Sequence, residues 1–121
     1  MMNDYQLGVI ESRFADIIWE KEPISSTELA KCSETLLSWK KSTTYTVLKR
    51  LCEKGIFQNN KGMVTSVISR QEFYARQSEK FVEETFDGSL PAFLAAFTAR
   101  KSLTPEEVEH LRRMVAEYQE G

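Results

Sequence analysis

The sequence predicts a mainly α-helical protein with one small β-hairpin, divided into an N-terminal domain at residues 1–70 and a helical region at residues 71–121. Apolar residues recur at helical spacing through most of the 121-residue chain, and a β-prone run interrupts them near the middle. Charge separates the two parts as well. Residues 1–70 carry ten basic and eight acidic side chains, whereas residues 71–121 carry six and ten.

Composition excludes several classes of protein. Apolar residues make up 41% of the chain and charged residues 28%, which is typical of a globular domain. The longest apolar run, residues 92–97, is far shorter than the roughly 20 residues that cross a bilayer. Residues 1–6 lack the basic and apolar stretches of a secretory signal. We therefore expect a cytoplasmic protein without a membrane contact.

Catalytic and metal-binding motifs are missing from the sequence. Cys32 and Cys52 form no C-x-x-C pair, and His110 is the single histidine. Its glutamate neighbours are typical of a solvated helix face, and a metal site needs three or four convergent ligands. The sequence also has no nucleophile, phosphate-loop or zinc-protease motif. It predicts no enzyme, no metal and no cofactor.

Three helices are predicted before the hairpin. The first ends before Pro23 and carries an apolar stripe of Leu7, Val9, Ile10, Phe14, Ile17 and Ile18. Ser25 and Glu28 have the spacing of a capping box, which predicts a second helix at about residues 26–37. A third helix is expected at about residues 41–54, with Gly55 as its left-handed stop. Its buried stripe is Thr44, Val47, Leu48 and Leu51.

The hairpin follows the third helix. Ile56 and Phe57 precede a turn-rich cluster at residues 59–62, and residues 63–68 are strongly β-prone. Three short helices followed by a two-stranded hairpin with a cationic tip are the order of a winged helix-turn-helix domain. Trp19 and Trp39 are expected in its core rather than at a ligand.

Three more helices are predicted in the last fifty residues. Ser69 and Glu72 cap the fourth, Asp87 and Gly88 end it, and Thr104 with Pro105 opens the sixth. Large apolar side chains exceed what so short a segment hides alone, so we expect a second copy of the chain to cover them. The predicted dimer contacts are Phe73, Phe81, Leu90, Phe93, Leu94, Phe97, Val108, Leu111 and Val115.

The third helix is the candidate for DNA reading. Residues 38–54 hold five cations against one acid, and short hydroxyls beside cations suit the base edges and phosphates of a major groove. The predicted DNA contacts are Lys40, Lys41, Ser42, Thr43, Tyr45, Thr46, Lys49 and Arg50, with Lys61 at the hairpin tip. Two alternatives stay open: a merely solvated helix face, and a winged-helix adaptor that binds a protein and no DNA.

These residues resemble the penicillinase-repressor family of bacterial transcriptional regulators, the BlaI, MecI and CopY group. The family's first-helix signature resembles Leu7, Glu11, Phe14 and Trp19, and its recognition segment resembles Trp39, Thr43, Thr46, Leu48, Arg50, Leu51, Lys54 and Gly55. Its dimerisation region resembles Phe86, Gly88, Ser89, Phe97, Leu103 and residues 104–107. The resemblance implies a homodimeric repressor that binds a palindromic double-stranded DNA operator.

The resemblance also implies a way of release. Members that control β-lactam resistance are cut between an asparagine and a phenylalanine by a sensor-linked protease, and those positions are Ala96 and Phe97 here. Copper-responsive members carry paired cysteine motifs near the C-terminus, which this chain lacks. The arginine and tyrosines common in the family's second wing strand are replaced here by residues 63–67, which implies different wing contacts.

Overall fold

Six helices and three short strands form the described part of the chain. The computed structural model describes residues 7–118, so the predicted lack of a secretory signal at residues 1–6 lies outside the described residues. In chain order the elements are α1 (Val9–Lys21), β1 (Ile24–Ser25), α2 (Ser26–Leu37), α3 (Lys41–Glu53), β2 (Phe57–Asn60), β3 (Met63–Ser66), α4 (Arg70–Phe86), α5 (Leu90–Thr98) and α6 (Pro105–Tyr118). The predicted fold class, a winged helix-turn-helix followed by a helical region, is confirmed.

The chain forms two units, Met1–Lys80 and Phe81–Gly121. The boundary lies inside α4, whereas the sequence suggested a division after residue 70. Aromatic packing explains the difference. The rings of Phe73 and Tyr74, in the first two turns of α4, lie 5.3 and 6.1 Å from the ring of Trp19 on α1. This contact makes the start of α4 part of the first unit.

Local capping sets the ends of α2 and α3. The Ser25 hydroxyl accepts a hydrogen bond from the backbone N–H of Glu28 at 3.0 Å, so the predicted cap begins α2. The α3 helix ends in a Schellman motif, in which the N–H groups of Gly55 and Ile56 donate to the carbonyls of Cys52 and Leu51. Gly55 has a φ of 84°, which a glycine adopts without the penalty that a side chain adds.

The sheet is antiparallel, with the order β1-β3-β2. The sequence predicted two strands and missed β1, whose two residues are too few to show an alternating pattern. The predicted turn at residues 59–62 is also shorter than expected. Asn59 and Asn60 belong to β2, and the turn consists of Lys61 and Gly62, with φ angles of 53° and 90°. Two central residues with positive φ are typical of a type I′ hairpin turn.

The core of the first unit lies between α1, α2, α3 and the sheet. Its largest fully buried side chains are Phe14, Phe57, Phe73, Ile18, Leu29, Leu51, Ile56 and Val64. Both tryptophans pack on this core, as predicted: the Trp19 ring lies 5.1 Å from that of Phe57, and the Trp39 ring lies 5.0 Å from that of Phe14. The predicted stripe of α1 is only partly buried, because Val9 and Ile10 in its first turn remain exposed.

Phe73 is the one predicted dimer contact that the structure places elsewhere. Its side chain has no solvent exposure and packs on Trp19 within the first unit. The sequence grouped it with the C-terminal aromatics because it lies on the same helix as Phe81. Phe73 is therefore a core residue, and a second subunit has no access to it.

We predict that Phe73→Ala destabilises the protein by about 3–5 kcal/mol, because it leaves a cavity among buried rings. Urea denaturation followed by tryptophan fluorescence measures the loss. Val9→Ala is the matched control, since Val9 is 79% exposed and its truncation should change the free energy of unfolding by about 0.5 kcal/mol or less. Equal, small losses for both variants would contradict the core position of Phe73.

Candidate nucleic-acid interface

One face of α3 is buried and the opposite face is in solvent. The buried side chains are Thr44, Val47, Leu48 and Leu51, as the periodicity predicted. The structure leaves most predicted DNA contacts of this helix exposed: Lys40, Lys41, Ser42, Thr43, Thr46, Lys49 and Arg50. Tyr45 is half-buried, and its ring lies 6.0 Å from the Lys41 ammonium nitrogen. The exposed face combines short hydroxyls with cations.

The N-terminus of α3 is open to an anion. Lys40 is the N-cap, and no side chain caps the first-turn N–H groups. The first backbone bond runs from the Thr44 N–H to the Lys40 carbonyl at 3.1 Å, so the donors before Thr44 point out of the helix end. The first turn contains no acidic residue. Together with the helix dipole and two lysines, these donors favour a phosphate oxygen.

The β2–β3 hairpin stands beside α3. Tyr45, Leu48, Lys49, Cys52 and Asn59 line a shallow groove of about 220 Å³ between α3 and β2, so the polar face of α3 continues onto the hairpin. Burial and the neighbouring Glu53 raise the pKa of the Cys52 thiol, which keeps it neutral. The groove therefore offers hydroxyl, ammonium and amide groups, without a reactive thiolate.

The hairpin tip is held in place by backbone bonds. The Asn59 carboxamide oxygen accepts a hydrogen bond from the Gly62 N–H at 2.9 Å, and the Gly62 carbonyl accepts one from the Ser26 N–H at 2.7 Å. Lys61 is exposed between them. The tip thus presents one cation on a fixed turn that is tied to the start of α2.

Arg50 has a partner that the sequence did not reveal. Its guanidinium donates to the Glu11 carboxylate on α1 at 2.9 Å, and the other carboxylate oxygen accepts the Gly8 N–H at 3.2 Å. Partial burial raises the pKa of Glu11, whereas the bonds from Gly8 and Arg50 and the nearby charge of Lys54 lower it further, so the pKa lies below its ordinary value. Glu11 and Arg50 are 39 positions apart, and no local pattern predicts the pair.

The second unit exposes most of the remaining predicted dimer contacts. Phe81, Leu90, Phe97, Val108 and Val115 are between 39% and 66% exposed, whereas Phe93, Leu94 and Leu111 are half-buried. The rings of Phe81, Phe86 and Phe93 contact one another edge to face, with centroids 5.7–6.2 Å apart. Neither α5 nor α6 contains a buried residue. Met114 and Tyr118, which were not predicted as contacts, add exposed apolar surface.

The predicted cleavage position lies inside α5. Ala96 and Phe97 are both exposed, and their carbonyls accept hydrogen bonds from the N–H groups of Ala99, Arg100 and Lys101 at the end of the helix. The bond between them is thus accessible at the side-chain level but is held in helical geometry.

Two further findings concern residues 7–118. No group of three or more His, Cys, Asp or Glu side chains in this range is arranged to hold a metal ion. None of the helices in the same range has the length and apolar character that a membrane span requires.

The arrangement defines a class: a winged helix-turn-helix protein with a solvent-facing cationic recognition helix and a second, apolar helical unit. Comparison of the sequence with known proteins identifies the family. A profile of the penicillinase repressor family matches residues 7–117, and the chain belongs to that family.

Named relatives cover almost the whole chain. The methicillin resistance regulatory protein MecI of Staphylococcus aureus (strain Mu50 / ATCC 700699) is 23% identical over 115 residues, which are 92% of this chain and 94% of MecI. MecI of Mammaliicoccus sciuri is 22% identical with the same coverage. The penicillinase repressor of Bacillus licheniformis is 26% identical over 117 residues, 93% of this chain and 91% of that protein.

The Glu11–Arg50 ion pair predicts a pH dependence of stability. The pKa of Glu11 is lower in the folded protein than in the unfolded chain, so its contribution is fully present above the unfolded value of about 4.3 and is lost as the pH falls through the folded value. We expect Glu11→Gln to lower the free energy of unfolding at pH 7 and to have little effect near pH 3. Urea denaturation at both pH values measures the difference.

The matched control for this experiment is Glu20→Gln, which changes an exposed glutamate on the same helix. It should have a small effect at both pH values. An equal loss for Glu11→Gln at pH 7 and at pH 3 would show that its carboxylate charge contributes no stability.

Proposed function

We propose that the protein is a DNA-binding transcriptional repressor that binds a palindromic operator as a homodimer. The observation that carries the proposal is the exposed face of α3, where hydroxyls and lysines surround an uncapped helix N-terminus. Membership of the penicillinase repressor family supports the same function. A repressor of this kind works where the chromosome is, so the proposal includes the bacterial cytoplasm.

Side chains on α3 divide between bases and phosphates in this proposal. Ser42, Thr43 and Thr46 have short hydroxyls that approach base edges closely, and threonine methyl groups contact thymine methyls. Lys40 and Lys41, beside the free N–H groups of the first turn, bind a phosphate. Lys61 at the hairpin tip binds a neighbouring phosphate. Tyr45 and Lys49 border the groove between α3 and the hairpin and complete the interface.

Dimerisation follows from the apolar surface of the second unit. The phenylalanine, leucine and valine side chains that α4, α5 and α6 expose favour a partner that removes them from water. A second copy of this chain supplies an identical surface, and a two-fold axis makes it self-complementary. Two-fold symmetry then predicts an operator with inverted half-sites separated by one DNA turn, about 10 base pairs, or a multiple of it.

The names of the relatives suggest which genes are controlled. They refer to methicillin resistance and to penicillinase, and we extend the proposal to genes of antibiotic resistance. Proteolytic release at Ala96 and Phe97 is a second candidate function, favoured by the exposure of both side chains near the end of α5. It requires the protease to accept alanine and to unwind the last turns of this helix.

Selection from a random DNA pool with the purified protein tests the function. We expect a palindromic winner, and its affinity should fall with salt. Neutralising four to eight phosphates per dimer gives a slope of about −4 to −7 for log affinity against log salt. A slope near zero would exclude the DNA-binding function and favour a protein-binding adaptor instead.

Two variants extend the same measurement to the assigned roles. Thr46→Ala should reduce discrimination between operator and altered sequences by about 1–3 kcal/mol, because it removes a base contact. Lys61→Ala should weaken binding to all sequences alike and make the salt slope shallower. Equal losses for Thr46→Ala on operator and on random DNA would show that Thr46 does not read a base.

The dimer has its own test. We predict that Phe97→Asp and Val115→Asp each convert a dimer at micromolar concentration into a monomer, because an unpaired carboxylate in an apolar interface is costly. Sedimentation velocity measures the change. Val9→Asp places the same charge at an exposed apolar position of the first unit and should leave the dimer intact. A wild-type monomer at this concentration would contradict the homodimer.

A further inference from the structure

Arg50 lies on the exposed stripe of α3 that we assign to DNA reading. It is four positions after Thr46 and seven after Thr43, so the three side chains share one face of the helix. A cation on this stripe is expected to bind a phosphate, and the sequence predicted that role. The structure instead directs the guanidinium toward α1, where the Glu11 carboxylate accepts its hydrogen bond at 2.9 Å.

Glu11 is the fixed member of this pair. Its side chain is only 20% exposed, against 52% for Arg50, and its second carboxylate oxygen is held by the N–H of Gly8, the N-cap of α1. Moving Arg50 to a phosphate would leave this mostly buried carboxylate without its hydrogen-bonded cation. The lost bond is charge-assisted, and such bonds are stronger than neutral ones. The geometry therefore opposes a transfer of Arg50 from Glu11 to DNA.

The pair also connects two elements that control how α3 is presented. Glu11 is in the first turn of α1 and Arg50 is near the last turn of α3. An ion pair between these ends restrains the direction of α3, on which the reach of its N-terminal hydroxyls depends. Misplacing those groups by about 1 Å reduces a site's performance without removing any of its contacts.

We propose that Arg50 is a positioning residue, held by Glu11, and that it sets the orientation of α3 for base reading without itself binding a phosphate. This inference rests on the proposed function and refines the predicted set of DNA contacts. It separates two cations that are neighbours in sequence. Lys49 contributes to DNA affinity through its charge, whereas the charge of Arg50 is already neutralised by a protein carboxylate.

The test uses the full-length protein and the operator selected from a random pool. Affinities for operator and for random DNA are measured at several salt concentrations for the wild type, Glu11→Gln, Arg50→Gln and the double variant. Lys49→Gln is the matched control, because it removes an exposed cation from the adjacent position. Circular dichroism at the assay temperature verifies that each variant is folded.

We expect Glu11→Gln and Arg50→Gln each to weaken operator binding by about three- to tenfold, with a smaller loss on random DNA. The double variant should be no weaker than either single one, because both changes break the same pair. The salt slope should stay unchanged in all three. Lys49→Gln should instead make the slope shallower by about 2 per dimer on both DNAs.

A different pattern would overturn the inference. If Arg50 binds a phosphate, Arg50→Gln reduces the salt slope by about 2 per dimer, and Glu11→Gln tightens binding because it releases the arginine. If a glutamine variant fails to fold, Arg50→Lys decides: a phosphate contact tolerates lysine, whereas the pair with Glu11 loses its geometry and operator preference falls. Wild-type protein without salt-dependent DNA binding would instead refute the proposed function itself.

Discussion

Trp19 is the side chain on which the first unit depends. Its ring contacts Phe57 on β2 and Phe73 and Tyr74 on α4, with centroid distances from 5.1 to 6.1 Å. Its indole N–H donates to the Ile68 carbonyl at 3.0 Å, just before α4 begins. One residue of α1 thus fixes the hairpin and the exit of the chain together. Aromatic pairs of this kind stabilise beyond their buried area, which makes α1 the reference frame for the other elements.

Three carboxylates at the ends and in the middle of α1 add directional contacts to this frame. Glu11 binds Arg50 of α3, Asp16 binds Arg70 of α4 at 2.9 Å, and Glu22 accepts hydrogen bonds from the N–H and hydroxyl of Ser66 on β3. Apolar packing is tolerant of small shifts, whereas charge-assisted hydrogen bonds specify distance and angle. The core therefore stabilises the domain, and the carboxylates of α1 specify where its reading elements stand.

Local signals predicted most of the fold. The capping serine of α2, the buried stripe of α3 and Gly55 act within a few residues of each other, so the sequence displays them directly. Contacts between distant residues were not predictable in this way. The two-residue strand β1 exists because Ile24 pairs with Val64, and Arg50 turns from solvent because Glu11 lies beside it in the fold. The site was thus predictable as a face of one helix, but not the partner that occupies Arg50.

Phe73 and Phe81 show the same limit, because both lie on α4 at helical spacing and have the same side chain. Phe73 is fully buried on Trp19, whereas Phe81 is 48% exposed. Periodicity assigns two such residues to one face and cannot say where the surface that covers this face ends. The first unit completes its own core, and the second leaves its apolar side chains in solvent. A protein that must place two reading helices on one DNA benefits from this division, because its reading domain folds without the partner while the apolar unit supplies the symmetry.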